Sequence, residues 1–320
     1  MAQTTISKSV FSEVGRILAI GDVHGNYAGL KRILTETGIV DKRGHWRARD
    51  THLVQLGDIL GRGGEPGKIF RLLRRLEQEA PEFGSRVHIL LGNHEAMSIS
   101  GLLVYNTLEE FQDLADESWL DDGAKRKGPD KAAELAAEKR AAARPLDAKY
   151  GKRLEMLGAR EFRAALSPFG KVGSWLLGHD SAVSINGHLF VHGGLNRAHG
   201  CMPLETLNDR VRNELSDDGA PGMTRANVLR RDGPQWNREY TLKPDDGRKA
   251  ELHEVLDYHR CRRMVVGHTP TSVIDPARAG RILPLYGDKL WCIDTGIGKT
   301  YGAHLSALSL ERGALTPIYF

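Results

Sequence analysis

The chain has 320 residues, of which 40% are apolar, 7% aromatic and 27% charged, an ordinary globular composition with room for one large domain or two small ones. A net charge of +4, with basic and acidic residues interleaved, makes no case for nucleic acid, and the apolar runs are too short to cross a bilayer. The three cysteines, Cys201, Cys261 and Cys292, are far apart and suggest neither a disulfide framework nor a thiolate zinc site. With no basic-then-apolar leader over residues 1–10, the expectation is a cytoplasmic protein with reduced thiols and no membrane contact.

In chain order, residues 16–20 form an apolar run that predicts a buried strand, ending at Gly21-Asp22-Val23-His24-Gly25. A helix follows, with Leu30, Ile33 and Leu34 on one face. Residues 52–56 predict a second strand, ending at Gly57-Asp58, then a loop Gly61-Arg62-Gly63-Gly64-Glu65-Pro66 and a helix over 68–79. A third strand, 87–91, stops at Gly92-Asn93-His94-Glu95. Strand, polar loop and helix thus alternate, which argues for an α/β core with ligand residues at the carboxyl ends of strands. Residues 101–170 break this rhythm. They are helix-forming and strongly charged, above all at 121–144, and predict a helical insertion within a single 1–320 domain. Such an insertion is either a solvated appendage or a cap that selects substrates.

The core resumes with strands 182–185 and 188–191 around Asn186-Gly187, a strong hairpin turn, the second strand delivering His192-Gly193-Gly194. A helix is expected over 205–215, then Gly233-Pro234-Gln235-Trp236-Asn237-Arg238, then a helix over 251–260. Residues 264–266 form a strand ending at Gly267-His268-Thr269-Pro270, and strands near 290–293 and 305–310 close the chain. Thr295-Gly296-Ile297-Gly298-Lys299-Thr300 imitates a P-loop, but the glycine the motif needs five residues before Gly298 is Ile293. It reads as a glycine turn near the site, from which Lys299 or Tyr301 could approach a substrate.

Five strand ends therefore carry Asp22 and His24, Asp58, Asn93 and His94, His192, and His268. Carboxylate, imidazole and amide oxygen together suit borderline divalent ions such as Mn, Fe or Zn. Two such ions about 3.5–4 Å apart need a shared anion between them, and Asp58 is the candidate bridge. His88, His179, His188 and His199 lack such context and read as structural; Glu95 reads as support rather than ligand.

The series Gly-Asp-x-His-Gly, Gly-Asp-x-x-x-Arg-Gly, Gly-Asn-His-Glu, His-Gly-Gly and Gly-His-Thr-Pro resembles the calcineurin-like metallophosphoesterases, in particular their phosphoprotein phosphatase branch, in that family's order over about residues 17–296. The runs Gly57-Asp58-Ile59-Leu60, Gly92-Asn93-His94-Glu95-Ala96-Met97 and Gly233-Pro234-x-Trp236-x-Arg238 are most similar to the Shewanella-like protein phosphatases. The resemblance implies a four-layer α/β/β/α sandwich with two mixed sheets and a phosphoric monoester hydrolase acting on a phosphorylated protein or peptide. It implies two divalent ions, Asp22, His24 and Asp58 on one and Asp58, Asn93, His192 and His268 on the other, with in-line attack by a metal-bridging hydroxide. Asn93 would also touch the phosphate, His94 would protonate the leaving oxygen, and Arg62 would clamp phosphate, with Arg238 as a second clamp.

One position departs from the pattern. The branch usually reads Gly-Asp-x-x-Asp-Arg-Gly, its second Asp orienting the acid histidine; here that residue is Gly61. Either another carboxylate, such as Glu65, takes its place, or His94 is a poorer acid. A small residue there is also similar to the symmetrical dinucleoside tetraphosphate hydrolases, which makes dinucleoside polyphosphate hydrolysis the alternative. A non-catalytic phosphoprotein scaffold would have no need of His94 beside a complete ligand set.

Overall fold

The computed structural model describes residues 9–115, 158–216 and 230–320. Eleven strands are described: β1 (Val10–Phe11), β2 (Arg16–Ile20), β3 (Thr51–Gln55), β4 (Arg86–Ile89), β5 (Ala182–Ile185), β6 (His188–Val191), β7 (Arg263–Val266), β8 (Leu283–Leu285), β9 (Leu290–Cys292), β10 (Ser306–Glu311) and β11 (Ala314–Tyr319). They form two mixed sheets, ordered β1-β5-β6-β7-β9-β8 and β11-β10-β2-β3-β4. The main helices are α1 (Tyr27–Glu36), α2 (Pro66–Glu79), α3 (Asn93–Ile99), α4 (Leu108–Ala115), α5 (Ala159–Leu166), α6 (Lys171–Leu176), α7 (Leu204–Ser216) and α8 (Asp246–Tyr258).

The period-two pattern of the strands explains the layers. Ile17 and Ala19 on β2, Val54 on β3, Phe190 on β6 and Val265 on β7 point into a shared core between the sheets. Their neighbours Leu18, Ile20 and Leu53 turn outward, into a core with Leu30 and Ile33 of α1 and Ile69 and Leu73 of α2. On the other sheet Leu189, Val191, Met264 and Val266 turn outward against Leu252 and Val255 of α8. Helix, sheet, sheet and helix therefore stack in four layers.

Strands β2, β3 and β4 run parallel, as do β6, β7 and β9. Each set brings its carboxyl ends to one edge of its sheet, and hydrogen bonds join the two edges. Leu56 O, just after β3, accepts from His192 Nδ1 at 2.8 Å, and His268 N, just after β7, donates to both oxygens of Asp22 at 3.1 Å.

Five elements differ from the sequence expectation. Asn93 and His94 stand in the first turn of α3, with Gly92 as N-cap, rather than in a loop. Helix α8 begins at Asp246, where Asp245 caps it through its side chain, earlier than the apolar spacing indicates. Strands β1, β8 and β11 lie at sheet edges, where only one neighbour dictates the pattern.

The stretch 121–144 lies outside the described residues, but the two ends of the 101–170 segment are described. Both ends pack in part against the core. Phe111 of α4 and Phe162 of α5 are fully buried with ring centroids 5.0 Å apart, and they belong to the same core as α2. Asp113 of α4 accepts from Gly67 N at 2.6 Å, so this segment also supports the start of α2.

Candidate active site

Where the two sheet edges meet, Asp22, His24, Asp58, Asn93, His94, His192 and His268 come together, all of them buried. Asp58 is central. Its Oδ1 lies 3.3 Å from His192 Nε2 and accepts from His94 N at 3.0 Å; its Oδ2 lies 3.9 Å from His24 Nε2 and 3.8 Å from His94 Nε2. His24, Asp58 and His94 form one group able to hold an ion, and Asp58, His192 and His268 form another. Asp58 is common to both, the position the sequence assigns to the bridge.

Backbone carbonyls orient the imidazoles. His24 Nδ1 donates to Leu60 O and Gly61 O, both at 3.0 Å, and His192 Nδ1 donates to Leu56 O at 2.8 Å. Each ring thus turns its Nε2 lone pair inward, as a hydrogen bond on the far nitrogen does for a metal-binding imidazole. His192 Nε2 then faces Asn93 Oδ1 at 3.0 Å as well as Asp58 Oδ1 at 3.3 Å. Three acceptors so close repel one another unless a proton or a cation lies among them. The titration behaviour agrees. Burial opposes charge on His192, but Asp58 and Asp22 outweigh it and push its pKa up to about 10. Burial likewise opposes charge on Asp58, yet His192, His94 and His24 hold it well below the usual carboxylate range. The donor set fits divalent ions.

The loops carrying these groups are strained in a shared way. His24, Asp58, Arg62 and His268 all adopt positive φ, from 41° to 71°, although none is glycine. Such conformations persist where the surroundings over-determine them. Glu95 does this for Asp58: its fully buried carboxylate accepts from the N–H groups of Asp58, Ile59, Leu60 and Gly92, at 2.8 to 3.0 Å. Burial, and then the charge of Asp58, raise its pKa to about 7.

The sequence left two participants unnamed, Asp294 and Tyr105. Asp294, after β9, is a buried carboxylate beside Asp22, and burial raises its pKa to about 6. Burial, with Asp294 next in weight, raises Asp22 as well. Ile293-Asp294 repeats the strand-then-acid pattern of Ile20-Gly21-Asp22, a signal that could have found it. Tyr105 carried no such signal. Its ring lies under the Arg62 guanidinium at 4.4 Å and 5.2 Å from the His94 ring, and its carbonyl accepts from Arg62 N at 3.1 Å. Tyr301, in the glycine turn, sits 5.4 Å from the His24 ring, and Thr300 Oγ1 donates to Arg62 O at 2.8 Å.

The chain matches the model of the calcineurin-like phosphoesterase family over residues 15–272. It is a calcineurin-like phosphoesterase. This phosphoesterase is 31% identical over 320 residues to Shewanella-like protein phosphatase 2 of Arabidopsis thaliana, covering 93% of this chain and 75% of the relative. It is 26% identical over 260 residues to Shewanella-like protein phosphatase 1 of Plasmodium berghei, covering 80% of this chain and 61% of that protein. Its fold is similar to the crystal structure of a cold-active protein-tyrosine phosphatase of a psychrophilic Shewanella species, with a TM-score of 0.73 and 23% identity over 99% of this chain and 84% of that one. The protein is a metal-dependent phosphatase.

At Gly61 the phosphoesterase departs from its branch in geometry as well as in sequence. A Cβ there would lie 2.0 Å from His94 Nδ1, so the imidazole occupies the room a side chain would need. Glu65 does not substitute; it pairs with Lys68 at 2.6 Å at the start of α2. Burial lowers the His94 pKa to about 4. Arg238 is placed against His268, donating from Nε to His268 Nε2 at 2.8 Å, and Trp236 meets the same ring edge-on at 5.6 Å. Burial, His192 and Arg238 together keep His268 well below the ordinary histidine range, consistent with a neutral acceptor.

Proposed function

We propose that this phosphatase hydrolyses phosphate monoesters on phosphorylated proteins. The observation that carries the reading is Asp58 shared between two converging donor groups, in a chain 31% identical to a named protein phosphatase. Asp22, His24 and Asp58 would hold one ion, and Asp58, Asn93, His192 and His268 the other. The mixed nitrogen and oxygen donors suit Mn, with Fe or Zn as the other fits. Bound there, the ions would lower the pKa of a water towards neutrality and offset charge building on the phosphoryl oxygens. Arg62 supplies paired donors to the phosphate, held flat on Tyr105, and Arg238 stands at the far side of the ligand set. His94 faces Asp58 and the Arg62 side, where a leaving oxygen needs its proton. The unpaired thiols Cys201, Cys261 and Cys292 fit a reducing compartment.

His94 Nδ1 has no hydrogen-bond partner among the described residues, so the acid lacks its orienting carboxylate. A phosphotyrosine leaving group needs less protonation than an alkoxide, so the reading favours phosphotyrosine. Metal analysis joined to a substrate panel tests both levels. The metal-loaded enzyme should release phosphate from phosphopeptides, and His94→Asn should cost little on phosphotyrosine but roughly 10²-fold or more on phosphoserine. Equal losses on both would defeat the phosphotyrosine preference. Nucleotide release from a dinucleoside tetraphosphate with no release from phosphopeptides would overturn the protein-phosphatase reading in favour of the reaction that Gly61 also allows.

A further inference from the structure

Beside His268 the surface opens into a cleft of about 590 Å³, lined by Arg231, Asp232, Trp236, Arg238, Glu239, Leu242 and Lys243. The volume lies in the range of ligand clefts, ~300–1,000 Å³. Arg238 and Trp236 are shared between this cleft and the metal-ligand set, through the contacts of both side chains with His268. Whatever fills the cleft is therefore a neighbour of the reacting phosphate.

The lining shows what kind of group that is. It carries three cations and two carboxylates, but both carboxylates are engaged by arginines outside the lining. Asp232 pairs with Arg230 at 3.2 Å, and Glu239 pairs at 2.8 Å with Arg248, which Glu251 shares at 2.7 Å. Arg238 faces a histidine rather than a carboxylate. Arg231 and Lys243 make no ion pair with any described residue, and both are exposed. Trp236 Nε1 is buried without a hydrogen-bond partner, a donor lacking an acceptor. Leu242, 45% exposed, adds an apolar patch. Cations without counterions among the described residues and a strip of hydrocarbon suit a carboxylate on a short aliphatic stem.

We propose that this cleft is a specificity subsite for acidic residues flanking the phosphorylated residue of a peptide substrate. The proposal rests on the protein-phosphatase reading above and names the peptides that reading leaves open. Charges on such a rim act through water, so each contributes modestly and is screened by salt.

Two series of phosphopeptides test it, identical except for glutamate or glutamine at the three positions on either side of the phosphorylated residue. The wild-type enzyme should favour the glutamate series in kcat/KM by about tenfold at low ionic strength, mostly through KM, and salt should shrink that ratio. In Arg231→Glu combined with Lys243→Glu the ratio should fall to about one or invert. Arg231→Lys should keep most of it. Metal content and the unfolding midpoint show that the double variant is folded. A wild-type ratio near one, or a ratio that the double variant leaves intact, overturns the subsite while leaving the phosphatase activity standing. Failure of the wild-type enzyme on every phosphopeptide, with cleavage of a dinucleoside tetraphosphate, overturns the parent reading instead.

Discussion

The floor of the site and its rim are built differently. On the floor, Asp22, His24, Asp58, Asn93, His192 and His268 are buried, and the side chains of His24, Asp58 and His192 are tied by hydrogen bonds to backbone from another part of the chain. On the rim, Tyr105, Arg231, Leu242 and Lys243 are exposed. The floor holds its groups in strained loops that Glu95 and the carbonyls pin, so it has little room for change. The rim can vary without disturbing that geometry. Chemistry should therefore fail with floor substitutions and selectivity with rim substitutions.

The sharpest way to break this contrast is Asp58→Asn. Removing the shared negative charge should lower kcat by at least about 10²–10³-fold and reduce bound metal in elemental analysis. A variant that kept both would show that Asp58 is not the bridge. Glu95→Gln should come next, through folding rather than ligation. Its amide would turn donors towards four N–H groups that now share two carboxylate oxygens. A loss of about 2–4 kcal/mol is expected in urea unfolding, and an unchanged midpoint would remove Glu95 from the scaffold.

Rim substitutions should be milder. Tyr105→Ala removes the plate under Arg62 and should raise KM for an aryl phosphate about 5-fold while metal content stays constant. Tyr105→Phe keeps the ring and should behave as wild type; equal damage from both would point to the hydroxyl instead. The smallest effect is expected at Glu110, fully buried next to Tyr105's segment. Its Oε2 accepts from Thr107 N at 2.8 Å, while Oε1 has no hydrogen-bond partner among the described residues. Burial raises its pKa to about 8. A carboxyl whose folded pKa lies above its unfolded value contributes stability at low pH that is lost as pH rises through the folded pKa. Between pH 5 and pH 8 the protein should therefore lose stability on this account, and Glu110→Gln should narrow that loss by about 2 °C in unfolding midpoint.

Much of the floor was legible because its code is local. Gly21-Asp22, Gly57-Asp58, Gly92-Asn93 and Gly267-His268 each join an apolar run to a candidate ligand residue, and a strand's end is set by its own sequence. The helix at Asn93 was not legible, since the apolar pattern of α3 is short and its residues are buried on every side. Asp294 obeys the same rule, though the glycines that follow it dominate the local pattern. The rim gave no such code. Tyr105 reaches Arg62 across more than forty residues, and the pairing of Glu239 with Arg248 becomes visible only in space.

By itself the sequence determined the alternation of strands, the ligand types at five strand ends and the absence of a carboxylate at Gly61, because strand periodicity and side-chain chemistry are local properties. Only the tertiary structure decided what that absence means. Packing the two sheet edges together puts His94 Nδ1 where a Cβ at 61 would stand, turns Glu65 away to Lys68, and brings Tyr105 against both His94 and Arg62. Distances between segments far apart in the chain follow from how the layers pack, and no local pattern encodes them.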